Sequence, residues 1–221
     1  MTMDRPVARR WGYVATLFTL LALVVATTGC TKALATAMYL INGGNQPAAY
    51  DGLKDKKVAV VCRPLVGLSY RDSNVAKDLA RHVSSLLKVN VKKIKLVDQA
   101  KVAAWIDEHS WEDYLQVGKA LKADMIVGID LEQFGIYEGQ TVYQGKARVG
   151  LRVYDCKTKE LVFEKDLPPV VYPPNHAVSS AEVQESDFRK EYLGVLAECL
   201  AVHFYPHDPN INFAMDAMAL H

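Results

Sequence analysis

The stretch Val142-Tyr-Gln-Gly-Lys-Ala-Arg-Val-Gly-Leu-Arg-Val-Tyr154 decides the fold. Side chains of an extended chain point alternately to opposite faces. Tyr143, Gly145, Ala147, Val149, Leu151 and Val153 therefore share one face, and Gln144, Lys146, Arg148, Arg152 and Tyr154 share the other. A strand of this kind is buried on one side and wet on the other, the mark of an antiparallel sheet.

The neighbours on either side complete a meander. Residues 125–134 form an apolar strand before the Glu138-Gly139 turn, and residues 160–165 return after the turn at Asp155 to Lys159. Pro168-Pro169 and Pro173-Pro174 bracket Val170-Val171-Tyr172. Proline has no place inside a central strand, so this segment is read as an edge or a loop. A last helix runs from about Ser186 to Phe204, with Phe188, Tyr192, Val195, Leu196, Cys199 and Leu200 as its apolar side.

Upstream, Lys57 to Cys62 is a β-branched run ended by Arg63-Pro64. Ser73 can cap a helix with Val75, Leu79, Val83, Leu86 and Leu87 at helical spacing. Ile94, Leu96 and Val97 make a short second strand. Asp98 can cap a helix carrying Val102, Trp105 and Ile106, and Ser110 with Asp113 is placed to open another that ends near Ala123. The expected fold is α+β: a two-layer sandwich with a short βαβ start, an antiparallel strand meander and a C-terminal helix.

The first thirty residues read as an address. Arg5, Arg9 and Arg10 precede an apolar run from Trp11 to Val25, followed by small residues up to Gly29-Cys30. That order is a secretory signal peptide, and its apolar core is shorter than the roughly 20 residues of a spanning helix. Thr28-Gly29-Cys30 resembles a bacterial lipobox, with Thr27 where an aliphatic is usual. The resemblance implies cleavage before Cys30 and acylation of Cys30, palmitate included. Thr31 stands where Asp would resemble an inner-membrane retention signal, which leans toward the outer membrane, facing the periplasm. The expected organisation is residues 1–29 as signal peptide, 30–52 as membrane-proximal tether, 53–206 as a single α+β domain and 207–221 as a tail. Within the tether, residues 33–41 are apolar, and either lie on the membrane surface or pack on the domain.

Composition narrows the function. The chain has 221 residues, half of them hydrophobic, with 26 basic and 25 acidic side chains. Low hydrophobicity and high net charge mark disorder, and both are missing. Cleavage would leave 192 residues with 23 basic and 24 acidic, so charge balance points to no nucleic acid. There is no Gly-x-Ser-x-Gly elbow, no phosphate loop and no His-Glu-x-x-His, and no catalytic residue or cofactor is assigned. His203 and His207, with Asp208, come nearest to metal-ligand spacing, but Pro206 interrupts the helix between them, so no metal site is assigned. Asp107, Glu108, His109, Glu112 and Asp113 cluster at a helix junction, where acids offset a helix dipole. Cys62, Cys156 and Cys199 show no Cys-x-x-Cys spacing, and buried thiols are expected for Cys62 and Cys199.

Gly118-Lys-Ala-Leu121-Lys-Ala123-Asp124-Met-Ile-Val-Gly128 resembles a helix-to-strand stretch of a group of bacterial envelope proteins. The group comprises the curli-secretion lipoprotein, the lipoprotein that activates a penicillin-binding protein and the N-terminal domain of the Tol periplasmic protein. Tyr154-Asp155-Cys-Lys-Thr158-Lys-Glu160 is similar to the group's strand-ending Asp-x-x-Thr-Gly-acid, with Lys159 in place of Gly. The stretch from Asp51 to Cys62 and His203 to Pro206 also resembles uncharacterised bacterial lipoproteins. The resemblance spans roughly residues 56–205 and implies a docking module. Membrane pore strands need about nine to eleven residues each, and no spare pair of that length is present.

The function expected from these residues is a membrane-anchored periplasmic lipoprotein that binds or scaffolds another envelope component. A small envelope hydrolase with a site assembled from distant residues is the alternative. The partners expected are the membrane, through lipid on Cys30, and an envelope protein, with Val170, Val171 and Tyr172 as the candidate docking edge. Mass spectrometry of the detergent-extracted protein should find residues 1–29 gone and an acylated Cys30 at the new N-terminus; intact Met1 would contradict the reading.

Overall fold

The computed structural model describes residues 45–65 and 74–208. By its internal contacts the chain divides into Met1–Gln46 and Pro47–His221. The signal segment, Cys30, most of the tether, Ser73 and most of the tail lie outside the described residues.

Strand β1 (Lys57–Pro64) leads through helix α1 (Val75–Asn90) to β2 (Lys95–Leu96). Helices α2 (Gln99–Glu108) and α3 (Tyr114–Ala120) follow, then β3 (Met125–Tyr137), β4 (Val142–Asp155) and β5 (Leu161–Asp166). Two short strands, β6 (Val170–Tyr172) and β7 (Val178–Ser179), precede α4 (Glu185–Ala201) and a closing 3-10 turn (Val202–Phe204). The sheet order is β2-β1-β3-β4-β5, and β6 and β7 also pair with β4. The first three strands in that order are parallel and the rest antiparallel, as the α+β reading expects.

β4 carries the alternation read from the sequence. Tyr143, Ala147, Val149, Leu151 and Val153 are buried on the face covered by α1 and α4. From the helices come Val75, Leu79, Val83 and Leu87, and Phe188, Tyr192, Leu196 and Leu200. Gly145 is required by packing, since a Cβ there would stand 2.5 Å from the Tyr192 ring. A smaller cluster on the opposite face packs Ala59, Val61 and Ile126 against Val102 of α2 and Tyr114 and Val117 of α3. Over β4 that second face holds exposed Arg148 and half-buried Gln144, Lys146, Arg152 and Tyr154.

The return strand is present as β5 and continues further than residues 160–165, with Val170–Tyr172 as an edge piece. β5, β6 and β7 lie in turn along one edge of β4, with Leu151 opposite Lys165, Lys146 opposite Val171 and Tyr143 opposite Val178. They are one strand interrupted twice. Each proline pair falls in a gap between the pieces, where no ladder donor is needed.

Local chemistry explains the boundaries. Asp98 caps α2 by accepting from the Ala100 N–H. Ser110 does not open α3. Asp113 does, accepting from the Leu115 N–H, because its short carboxylate sits directly before the first helical residue. In the 155–160 turn, Asp155 Oδ1 accepts from the Lys157 and Thr158 N–H groups. Lys159 takes a left-handed φ of 64°, so the turn keeps the conformation that favours Gly. A Cβ on Gly118 would lie 2.5 Å from Cys156 Sγ, which lets α3 rest against the end of β4.

Leu196 is fully buried between α1 and the sheet. Leu196→Ala should lower the unfolding free energy by about 2–5 kcal/mol in urea titration. A loss well under about 1 kcal/mol would place α4 outside the main core.

Candidate functional site

β1 ends beside the N-terminal half of α1 and the body of α2, and the three enclose a groove of about 450 Å³. Its walls include Ala76, Ala80, Val102, Ala103, Ile106 and Trp111, with Arg63 and Lys77 at the lip. Small residues on α1 and α2 keep it open, and Lys77 is held at its rim by Asp107 at 2.8 Å.

Arg63 is fixed by the pairing of parallel strands. β1 and β3 place it beside Asp130, which is only 7% exposed. Its Nη2 donates to Asp130 Oδ1 at 2.9 Å and its Nε to the same oxygen at 3.3 Å. Nη1 donates to the Glu112 carbonyl at 2.9 Å. The Tyr114 hydroxyl donates to Asp130 Oδ1 at 2.8 Å. The guanidinium lies 4.9 Å from the Tyr114 ring centre and 6.0 Å from that of Trp111, within cation–π range. Tyr114 reaches this position because it opens α3 over Gly128, where a Cβ would stand 2.7 Å from its ring.

Burial opposes the Arg63 cation, and the Asp130 hydrogen bond with the Tyr114 and Asp130 charges outweighs it, so its pKa is raised. Tyr114 is pushed up by burial and then by Asp130. Cys62, the buried thiol at the groove, is also pushed up by burial and by Asp130. It is a protonated thiol at neutral pH, which makes it a poor nucleophile. The cluster therefore presents an oriented cation beside an apolar trough.

A wider, more open hollow of about 820 Å³ lies between the N-terminal parts of α1 and α4. Within it Arg81 pairs with Asp78 at 2.7 Å and Arg189 with Glu185 at 2.6 Å, and exposed Lys190 also lines it.

The residues singled out by sequence are distributed as follows. Cys30 lies outside the described residues. Val170 and Val171 are half-buried on β6, while Tyr172 turns inward and is 4% exposed. Its hydroxyl donates to Glu191 at 2.5 Å and its ring stacks on Tyr192 at 6.4 Å. Burial, then the fields of Lys165 and His207, push His203 down to about 4. Among the described residues no group of three or more His, Cys, Asp or Glu side chains is arranged to hold a metal. Of the acidic junction, Asp107 pairs with Lys77, Asp113 caps α3 and His109 stacks on Trp105 at 4.7 Å. Cys62, Cys156 and Cys199 are free thiols. Arg63 and Asp130 are 67 positions apart. Asp130 inside the apolar run from Met125 to Leu131 was the available signal, because a charge there needs a partner.

No protein-family model matches the chain, and no curated protein matches it. Its fold is similar to that of the PelC dodecamer from Paraburkholderia phytofirmans, at 12% identity and a TM-score of 0.44, covering 72% of this chain and 94% of that one. It is also similar to lipoprotein GNA1162 from Neisseria meningitidis, at 10% identity and a TM-score of 0.42, covering 65% and 94%. The C-terminal domain of LpoB from Salmonella enterica matches at 12% identity and a TM-score of 0.37, covering 54% and 86%. Bacterial lipoproteins are thus among the proteins whose fold this chain resembles, and at these identities the likeness concerns the fold alone.

Because Arg63 and Tyr114 share one acceptor oxygen, their contributions should not add. Asp130→Asn should cost about 1–3 kcal/mol in urea titration, with Arg63 about one-third exposed. Tyr114→Phe should cost less in the Asp130→Asn background than in the parent. Equal costs in both would mean that Tyr114 acts through packing alone.

Proposed function

We propose that this chain is a lipid-anchored lipoprotein of the bacterial envelope whose α+β domain works by contact, binding another envelope protein. The order of basic residues, apolar run and Gly29-Cys30 supports export and anchoring, and Thr31 favours the outer membrane, periplasmic side. The observation that carries the contact reading is the groove beside Arg63. An apolar trough that ends at an oriented guanidinium suits a partner segment with an apolar side chain next to a carboxylate or carbonyl. Arginine has five N–H donors, and Asp130 and Glu112 take three of them.

The hydrolase alternative requires a nucleophile with a base in hydrogen-bond reach. At this groove Cys62 is held as a thiol, and Asp130 is engaged by Arg63 and Tyr114. The β6 edge is the second candidate contact, and it offers only three residues between proline pairs.

A photoreactive side chain at Ala103, in the groove, should cross-link one discrete envelope protein in intact cells. The same probe at exposed Ala104 should not, and Ala103→Trp should lower recovery by competing for the space. Turnover of a cell-wall or lipid substrate by the purified protein, abolished by Asp130→Asn, would overturn the contact reading.

A further inference from the structure

The end of the domain opposite the groove has a separate character. Strand pairing brings four turns to one end of the sheet. Lys57 lies beside Lys95, Val58 beside Met125, Met125 beside Asp155 and Tyr154 beside Leu161. Backbone bonds tie the turns together, from Lys95 N–H to the Lys56 carbonyl at 2.9 Å, from Asp124 N–H to the Lys57 carbonyl at 2.7 Å and from Cys156 N–H to the Asp124 carbonyl at 2.9 Å. Residues 51–57, 91–95, 121–124 and 155–160 hold nine lysines against five acids, while the other described residues hold twelve basic and seventeen acidic side chains. This end therefore carries a net positive charge and the remainder a net negative one.

Of the five acids at this end, Asp51, Asp55 and Glu160 are exposed, Asp55 lies 4.0 Å from Lys93 and Asp124 lies 3.9 Å from Lys157, and two are held by backbone groups. Asp124 accepts from the Lys57 N–H at 2.9 Å, and Asp155 accepts from two N–H groups of its own turn. Those backbone hydrogen bonds, foremost the one from Lys157, hold the Asp155 carboxyl below its ordinary range. Seven of the lysines, at 54, 92, 93, 95, 122, 157 and 159, are exposed. Three of the large apolar side chains that stand in water also belong here: Val89 in the last turn of α1, 82% exposed, and Leu161 and Val162 at the start of β5.

The chain comes into the domain at this same end. Tyr50 donates its N–H to the His203 carbonyl at 3.0 Å and stacks on Phe163, and residues 51–56 run directly into β1. Sixteen residues lie between Cys30 and Pro47, a reach of at most roughly 60 Å.

We infer that this lysine-rich end is a membrane-docking face that sits on the anionic phospholipid headgroups of the bilayer holding the chain. The inference rests on the lipid anchor proposed at Cys30. Lysines are drawn to an anionic surface within a Debye length, and isolated apolar side chains among them sink into the headgroup boundary. The anchor supplies proximity and the face supplies orientation.

The full chain is placed in vesicles of phosphatidylcholine alone or mixed with phosphatidylglycerol, and lysine acetylation by acetic anhydride is followed by mass spectrometry. Lys92, Lys95 and Lys157 should react roughly fivefold more slowly on the phosphatidylglycerol vesicles, relative to Lys101 and Lys190, and concentrated salt should erase the difference. A Lys54→Glu, Lys92→Glu, Lys95→Glu variant with unchanged melting should lose the protection at Lys157 while remaining attached. Equal rates on both vesicles, or protection shared by Lys101 and Lys190, overturn the docking face. The anchor is judged separately: a Cys30→Ser chain that remains fully attached contradicts acylation there, while the labelling pattern still decides the face. A chain that attaches to neither vesicle overturns both.

Discussion

Every antiparallel pairing in the sheet is made by β4. The strand has β3 along one edge and β5, β6 and β7 along the other, and its apolar face is the floor on which α1 and α4 rest. Its register tolerates no slip. A shift by one residue would send Val149, Leu151 and Val153 to the wet face and put Arg152 beneath α4. Gly145 under Tyr192 adds a steric lock, since any side chain in that position meets the ring.

The short parallel part does a different task. β1 spans about 20 Å between a lysine-rich end and a groove end. The chain enters the domain at the first, where residues 51–56 run into β1. The Arg63–Asp130 pair belongs to the groove end and is positioned by strand register, while Tyr114, which closes it, is positioned by a helix cap. A rigid element thus supports each part of that cluster.

Much of the fold was legible because period and capping act over short distances. The alternation of β4, the helical spacing in α1 and α4, and the Asp98 cap all lie within a few residues of one another. Ser110 misled because two capping residues stand close together and the nearer one, Asp113, wins. β6 and β7 are too short for any period to show, and only pairing with β4 makes them strands. The Arg63–Asp130–Tyr114 cluster draws on three separated elements, and Asp130 within an apolar run was its one local trace. The lysine-rich end was hidden for the same reason. Along the chain its lysines are offset by acids, and folding gathers nine of them with only five acids at one end of the domain.

The interrupted return strand has a consequence for how these molecules behave when crowded. An uninterrupted partner of β4 would offer a straight outer row of N–H and C=O groups on which a second chain could build a cross-β stack. Here the outer row is divided into pieces of six, three and two residues, separated by proline pairs that donate nothing. Charged Glu164, Lys165 and Asp166 occupy the longest piece. The longest strand of the domain is thereby paired along both edges without leaving an equally long template for aggregation.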